Sequence, residues 1–148
     1  MGCERPQVRI LLPRPLPLCY NSSVEASNIT TELLVEDMKK TLDFYKDVLD
    51  FEVKMSFPEE DPFFAIIRNN KAELMLYTRE KFLQDIPDFA KEKMGGTFAL
   101  YIRVKDIVEL FDDLKNKVKI IQELYSTSYV KLEFSFYDCN GYVLMLHE

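Results

Sequence analysis

The stretch EDMKKTLDFYKDVLDFEV, residues 36–53, contains an acidic helix start, an amphipathic helix and the beginning of a strand. Asp37 is a predicted N-cap residue, because an aspartate side chain can accept a hydrogen bond from a free amide of the first helical turn. Apolar residues then recur at helical spacing and form one stripe, which consists of Met38, Leu42, Phe44, Tyr45, Val48 and Leu49. We expect this stripe to pack the helix against a sheet, and Asp50 to end the helix.

Strand patterns lie on both sides of this helix. The segment NITTELLV, residues 28–35, alternates in the manner of a strand. Three further strands are predicted at 51–57, 63–69 and 72–78, and the sequence Asn69-Asn70 marks a hairpin between the last two. The order of the unit is therefore strand, helix, strand, strand, strand.

The same order returns in the second half of the chain. Asp106 lies 69 positions after Asp37 and is again predicted to cap a helix, whose apolar stripe consists of Ile107, Leu110, Phe111 and Leu114. Strands are predicted at 97–104, 117–125, 129–137 and 142–148. The repeats span 29–78 and 97–148, and a charged, partly helical linker at 79–96 joins them. Since each half is too small for a good core, we predict an α+β fold in which two βαβββ repeats form curved mixed sheets around a shared cleft.

Composition limits the classes of function. A chain of 148 residues suits one domain or two small repeats, and its net charge of −6 argues against a nucleic-acid surface. An acidic balance fits small molecules or cationic ligands better. No apolar run approaches the ~20 residues of a membrane span, so no membrane contact is predicted. The cysteines Cys3, Cys19 and Cys139 lack disulfide or zinc spacing, which favours reduced thiols and a cytoplasmic location.

Residues 1–28 differ from the rest of the chain. They contain four of the seven prolines and show neither helical nor alternating periodicity. The peptide Val8-Arg9-Ile10 is also what the T-arm sequence common in transfer-RNA genes encodes. We therefore expect either a disordered tail or an extension that results from a misplaced start codon, without a secretion signal and without a function.

Residues 29–148 resemble the vicinal oxygen chelate superfamily, which includes glyoxalases, extradiol dioxygenases and bleomycin-resistance proteins. The stretch LLVEDMKKTLDFYKDVLDFEV is similar to the first strand, helix start, Phe-Tyr pair and closing strand of that superfamily, with Asp50 where glycine is usual. The ending LEFSFYDCNGYVLMLHE is similar to its common ending: Asp138 and Gly141 are kept, and Cys139 replaces the usual proline. The resemblance implies a homodimer, and it implies that Phe44 and Tyr45 belong to the core.

The resemblance also implies where a metal would bind. Enzymes of this superfamily hold one divalent metal with four side chains, two from each half, and the metal polarises a carbonyl or enediolate oxygen. Carried over by motif, these positions are Thr30, Met75, Ala99 and Met145. None is a usual ligand for a hard or borderline divalent metal, so we expect the ordinary metal site to be lost and no cofactor to be bound. A register shift of two residues gives a nonstandard set, which consists of Glu32, Glu73, Tyr101 and His147.

Without metal, the same strand faces are expected to line a pocket for a small ligand. The candidate residues are Thr30, Glu32, Glu73, Met75, Tyr77, Ala99, Tyr101, Arg103, Met145 and His147. Apolar and aromatic walls with a few polar groups are typical of such sites. The two tyrosines are expected to stack on a planar or cationic group, and the two carboxylates favour a basic ligand. The alternative for Met75 and Met145 is a packing role, in which their side chains only fill the space that a metal would otherwise occupy.

Three functions remain open from the sequence. The favoured one is a metal-independent protein that sequesters a cationic or aromatic compound in the manner of bleomycin-resistance proteins. The second is a lyase, isomerase or dioxygenase that uses the nonstandard set, or that transfers a proton through Glu32 or Glu73. The third is a partner-binding domain whose cleft is filled. The fold does not decide between them, because one scaffold hosts many activities.

Overall fold

The computed structural model describes residues 28–128 and 131–148, and the predictions for residues 1–27 lie outside this part of the chain. The first half contains β1 (Thr31–Val35), α1 (Met38–Leu49), β2 (Glu52–Phe57), β3 (Phe64–Asn69) and β4 (Ala72–Thr78). The linker forms α2 (Arg79–Asp85) and a 3-10 turn (Pro87–Lys91). The second half contains β5 (Ala99–Arg103), α3 (Ile107–Leu114), β6 (Lys119–Ser126), β7 (Leu132–Tyr137) and β8 (Val143–His147). Within the described ranges, no helix is long and apolar enough to cross a membrane.

The strands form two four-stranded sheets of the same topology. Their strand orders are β1-β4-β3-β2 and β5-β8-β7-β6. In each sheet the first strand of the half pairs in parallel with the last, and the other pairs are antiparallel. The prediction of an α+β fold built from two βαβββ repeats is confirmed.

The ends of α1 follow the sequence prediction. The Asp37 side chain accepts a hydrogen bond from the Lys40 backbone N–H at 2.9 Å. Asp50 is the C-cap residue and has a left-handed backbone with φ of 51°. This conformation is the one that favours glycine at a helix end, which explains why glycine is the usual residue at this position of the motif.

The start of α3 corrects the sequence prediction. Asp106 occupies the cap position, but its backbone is left-handed (φ 54°) and its side chain makes no capping hydrogen bond. An N-cap side chain reaches the first turn from an extended backbone, and Asp106 lacks that geometry. The Glu148 carboxylate replaces it and accepts from the backbone N–H groups of Asp106 (3.2 Å) and Ile107 (3.1 Å).

One hydrophobic core joins the two halves. The sheets contribute Leu33, Val35, Leu74, Leu76, Phe134, Phe136, Leu144 and Leu146, and the helices contribute Met38, Tyr45, Ile107 and Leu114. Because side chains alternate along a strand, the residues between these point to the opposite face of each sheet. We call this opposite side the open face.

The turn between β7 and β8 connects the second half to α1. The buried Asp138 carboxylate accepts hydrogen bonds from the Tyr45 hydroxyl (2.9 Å) and from the backbone N–H groups of Asn140 and Tyr142 (2.8 Å each). The Tyr142 hydroxyl donates to the Leu34 carbonyl at 3.1 Å. Tyr45 is fully buried, as predicted, and it also fixes the arrangement of the halves.

Candidate functional site

A cavity of about 930 Å³ lies where β1, the linker and the β7–β8 turn meet. Four aromatic side chains contribute to its wall, and these are Phe89, Phe98, Tyr137 and Tyr142. Phe98 and Tyr142 lie with their ring centroids 5.6 Å apart. The cavity therefore offers ring surfaces from the linker and from the second sheet.

Charged groups of both signs also face this cavity. Three are acidic and three are basic, and they are Glu32, Glu92, Asp138, Arg79, Lys93 and Lys119. Asp138 is occupied by its three hydrogen bonds, whereas the Glu32 carboxylate has no hydrogen bond or ion pair with the described residues. Burial raises the pKa of Glu32 above its usual value. Glu32, which lies on β1, and Glu92, which lies in the linker, are thus the carboxylates of the cavity that can accept a hydrogen bond from a ligand.

A close contact between two glycines shapes one wall of the cavity. Gly95 in the linker has φ of +83°, and a Cβ atom there would lie 2.4 Å from the Gly141 carbonyl oxygen. Both glycines line the cavity. The linker therefore approaches the β7–β8 turn as closely as it does only because residue 95 has no side chain.

The candidate residues of the first half do not share one cavity. Glu32 lies opposite Met75 in the β1–β4 pair and lines the large cavity. Glu73 is ion-paired with Arg68, and both line a separate cavity of about 380 Å³ together with Thr30. The two carboxylates that were expected to attract a basic ligand together thus lie in different surroundings.

Tyr77 is engaged by its neighbours. Its ring contacts those of Phe63, Phe64 and Phe82 at centroid distances of 5.6 to 5.8 Å. Its hydroxyl donates to Asp85 at 3.0 Å. These contacts favour a packing role for Tyr77 over the predicted role as a stacking platform.

The four positions that the resemblance assigns to a metal do not fit one. A hydroxyl, two thioethers and a methyl group occupy them, on Thr30, Met75, Met145 and Ala99, and this donor set does not suit a hard or borderline divalent metal. The members of the nonstandard set do not line one cavity. Glu32 lines the cavity of about 930 Å³, and Glu73 lines the cavity of about 380 Å³. Tyr101 and His147 lie on the second sheet. In the described ranges no three His, Cys, Asp or Glu side chains come together as a metal site.

A polar cluster lies on the open face of the second sheet. Glu133 is only 3% exposed, and its carboxylate accepts hydrogen bonds from the hydroxyls of Tyr101 (2.5 Å) and Tyr125 (2.9 Å). The Tyr101 ring stacks on the His147 ring with centroids 4.1 Å apart. Across the β5–β8 pair, Tyr101 lies opposite Met145, and Arg103 lies opposite His147. Ala99, opposite Val143, is exposed at the far end of β5.

Sequence reasoning missed two members of this cluster, Glu133 and Tyr125. The signal for Glu133 was present, because alternation in LEFSFY places Glu133, Ser135 and Tyr137 on the face opposite to the buried phenylalanines. Tyr125 was harder to find, since the β6–β7 register shifts between Gln122 and Tyr125. An irregular strand does not follow simple alternation.

The protonation of His147 gives a testable pH dependence. Burial and the positive charges of Lys131 and Arg103 lower the pKa of His147, and the carboxylate of Glu133 opposes them. Because the folded-state pKa lies below the unfolded value of about 6.5, the stabilisation is complete above that pH and is lost as the pH falls below it. We expect the melting temperature to fall between about pH 7 and about pH 5, and to fall less in His147→Phe. A titration of His147 by NMR checks the cause directly, and a pKa at or above the usual value would contradict it.

Comparisons with known proteins agree with the fold. The model of the Glyoxalase/Bleomycin resistance protein/Dioxygenase superfamily matches residues 29–146. The uncharacterized protein YraH of Bacillus subtilis is 32% identical over 88 residues, which are 57% of this chain and 67% of that protein. A protein of unknown function from Agrobacterium tumefaciens superposes with a TM-score of 0.70 at 19% identity, over 87% of this chain and 97% of the other. A superfamily member from Sphaerobacter thermophilus gives a TM-score of 0.64 at 23% identity, over 84% and 98%.

Proposed function

We propose that this chain, which belongs to the glyoxalase/bleomycin resistance protein/dioxygenase superfamily, is a metal-independent protein that binds and sequesters a small aromatic compound. The observation that carries this proposal is the cavity of about 930 Å³ with four aromatic rings in its wall. Pockets of roughly 300–1,000 Å³ with apolar and aromatic walls and a few polar groups are typical of small-molecule sites. Ring surfaces favour a flat aromatic ligand, because offset and edge contacts between rings are attractive.

The donor chemistry supports binding without metal. A lyase, isomerase or dioxygenase of the family type needs nitrogen or oxygen ligands at the four metal positions, and this chain has Thr30, Met75, Ala99 and Met145 there. An enzyme that uses the alternative set would need Glu32, Glu73 and His147 near one metal. In the structure Glu73 is paired with Arg68 instead. The described residues therefore support neither the family type of metal enzyme nor an enzyme that uses the alternative set.

The charge of the ligand depends on Glu32. Glu73 is neutralised by Arg68, whereas the carboxylates of Glu32 and Glu92, which both line the cavity, have no hydrogen bond or ion pair with the described residues. Glu32 is the one of these two whose pKa is raised by burial. Three basic side chains face the same cavity, so its overall charge is balanced. We propose a ligand whose main feature is its aromatic body, with one hydrogen-bond donor or positive group that faces Glu32.

The proposed assembly is a homodimer in the cytoplasm. Support for the homodimer comes from the family resemblance and from apolar side chains on the edge strand β2, where Met55 is 47% exposed and Phe57 is 60% exposed. Such side chains on a sheet edge are typical of surfaces that are covered in an assembly. The cytoplasmic location is proposed from the spacing of the cysteines, which fits reduced thiols.

The proposal is tested by calorimetric titration of the purified full chain with matched probes, within a screen of planar aromatic compounds. 1-Naphthylmethylamine carries a positive charge, and 1-naphthalenemethanol is its neutral analogue. We expect Phe98→Ala to weaken binding of both about 10-fold, because a ring contact is lost, and Glu32→Gln to weaken only the amine.

The control is Val108→Ala, which shortens an exposed apolar side chain of α3 that lines neither the cavity nor the proposed dimer surface. This variant is expected to bind both probes as the unaltered chain does. Failure of every planar aromatic in the screen, or equal losses in Phe98→Ala and Val108→Ala, would refute the proposed site.

A further inference from the structure

The charged groups in the wall of the aromatic cavity do not pair with one another. Asp138 is occupied by its three hydrogen bonds. Arg79 donates to the Ala90 carbonyl at 2.9 Å, and its guanidinium lies 4.0 Å from the carboxylate of Glu36, which does not line the cavity. Four other charged side chains of the wall have no hydrogen bond or ion pair with the described residues, and these are Glu32, Glu92, Lys93 and Lys119. Opposite charges that line one cavity without pairing favour a ligand that carries both charges itself.

Two of these unpaired charges lie on different halves of the chain. Glu32 lies on β1, two residues before Leu34, whose carbonyl accepts from the Tyr142 hydroxyl at 3.1 Å. Lys119 lies on β6 opposite Tyr137, and its ammonium group is 5.1 Å from the centroid of that ring. A contact with a ring face places the ammonium group without neutralising its charge. The first sheet therefore supplies a carboxylate to the cavity, and the second sheet supplies a cation.

Backbone N–H groups of the linker add donors for an anion. Gly95, Gly96 and Thr97 line the cavity, and their N–H groups make no hydrogen bond within the part of the chain that the structure describes. A glycine has no side chain to cover its peptide groups, so a ligand can approach them closely. Successive free N–H groups of this kind are suited to bind an anion. Gly95 also lies against Gly141 in the β7–β8 turn, so these donors are on the wall that the second half forms, as is Lys119.

We infer that the ligand of this cavity is a zwitterionic aromatic amino acid, with a planar aromatic body, one ammonium group and one carboxylate. The Glu32 carboxylate accepts a hydrogen bond from the ligand ammonium group. The Lys119 ammonium group and the N–H groups of Gly95 and Gly96 donate to the ligand carboxylate. The aromatic body lies against the Phe98 ring. Hydrogen bonds that involve a charged group are stronger than neutral ones, so both ends of the ligand contribute to affinity.

This inference rests on the proposed function, because it names the chemical class of the ligand for the same cavity. A matched series of naphthyl compounds tests it. 3-(1-Naphthyl)alanine carries both charges, 3-(1-naphthyl)propionate lacks the ammonium group, and 2-(1-naphthyl)ethylamine lacks the carboxylate. The uncharged 1-naphthalenemethanol measures binding of the aromatic body alone. All four are titrated into the full chain by calorimetry at constant ionic strength.

We expect the amino acid to bind about 10-fold more tightly than either compound that lacks one charged group. If the alcohol binds and the amino acid binds no more tightly than the alcohol, the inference is overturned and the proposed function stands. If the alcohol and every other aromatic probe fail to bind, the proposed function fails as well. The two failures are therefore distinguishable.

Substitutions assign each charge of the ligand to a side chain. Lys119→Gln is expected to weaken binding of the amino acid and the propionate about 10-fold and to leave the ethylamine unchanged, and Glu32→Gln is expected to weaken the amino acid and the ethylamine but not the propionate. Lys119→Arg keeps the positive charge and should retain most of the affinity. Lys91→Gln removes an exposed cation of the linker that does not line the cavity, and it is the matched control. A loss in Lys119→Gln that is equal for all three charged probes would overturn the inference.

The glycine amides give a direct readout of the carboxylate end. The chain contains four glycines, so an NMR spectrum of the full chain labelled only at glycine nitrogen contains few signals. We expect the amino acid and the propionate to move the amide proton signals of Gly95 and Gly96 downfield saturably, because a carboxylate that accepts from an N–H group deshields its proton. The Gly141 N–H already donates to the Asp138 carbonyl at 3.3 Å, so its signal should move less. Equal shifts of the Gly95 and Gly96 signals by the propionate and the ethylamine would overturn the inference.

Discussion

Gly95→Ala is expected to destabilise the fold by about 3 kcal/mol and to disrupt the aromatic cavity. The added Cβ atom would lie 2.4 Å from the Gly141 carbonyl oxygen, which is backbone and has little freedom to move. The left-handed φ of +83° adds strain for any residue with a side chain. Either the backbone shifts and the linker leaves the β7–β8 turn, or the strain remains in the folded state. Urea denaturation measures the loss of stability, and titration with 1-naphthalenemethanol measures the loss of binding.

The neighbouring glycine provides the control. An alanine side chain at Gly96 would meet only the Phe98 ring at 3.6 Å, an ordinary contact, and its φ is +33°. Gly96→Ala therefore keeps the backbone strain without the clash, and we expect a loss of only about 1 kcal/mol. Equal losses in the two variants would show that the contact between Gly95 and Gly141 is not what shapes the cavity.

Asp138→Ala is expected to cost about 3 kcal/mol of folding free energy. Its carboxylate is buried and accepts three hydrogen bonds, one of them from the Tyr45 hydroxyl. Removal of the carboxylate leaves the buried Tyr45 hydroxyl and two backbone N–H groups without their acceptor, and such groups are costly to bury unpaired. The same hydrogen bonds connect α1 to the β7–β8 turn, so the relative position of the halves should change as well.

Denaturation of matched variants isolates the contribution of Asp138. Tyr45→Phe removes a single donor and leaves the two backbone bonds in place, so its cost should be about 1 kcal/mol. Asp113→Ala removes an exposed carboxylate of α3 and should leave the unfolding midpoint unchanged. In the double variant of Tyr45 and Asp138 the losses should be less than additive, because both changes break the same bond. Full additivity would contradict a direct coupling across the halves.

The repeated fold follows from local sequence signals. The helical stripe after Asp37, its copy after Asp106 and the alternating strands each agree with the same architecture. Because these local signals all agree with one architecture, the fold could be predicted from a single sequence. The predicted N-cap of α3 was wrong, because the carboxylate of Glu148, at the far end of the repeat, accepts the hydrogen bonds that Asp106 was predicted to accept. A contact over 41 residues leaves no local pattern.

The site was less predictable than the fold. Strand alternation predicts which residues share one face of a sheet, but it does not tell which neighbours neutralise them. The pair of Arg68 and Glu73 lies across the β3–β4 hairpin, and it removes Glu73 from the cavity that Glu32 lines. The wall of that cavity depends on the contact between Gly95 and Gly141, which joins a linker without periodicity to a distant turn. Tertiary contacts between irregular segments of this kind have no signature in the sequence.

Metal content separates the proposed binding protein from a metal enzyme most directly. The full chain would be loaded with Ni, Zn, Mn or Fe and desalted. Bound metal per chain would then be measured, and 1-naphthalenemethanol would be titrated before and after treatment with a chelator. We expect no stoichiometric metal and the same Kd in both titrations. One tightly held metal per chain, together with binding that disappears on chelation and returns with the metal, would contradict metal-independent binding.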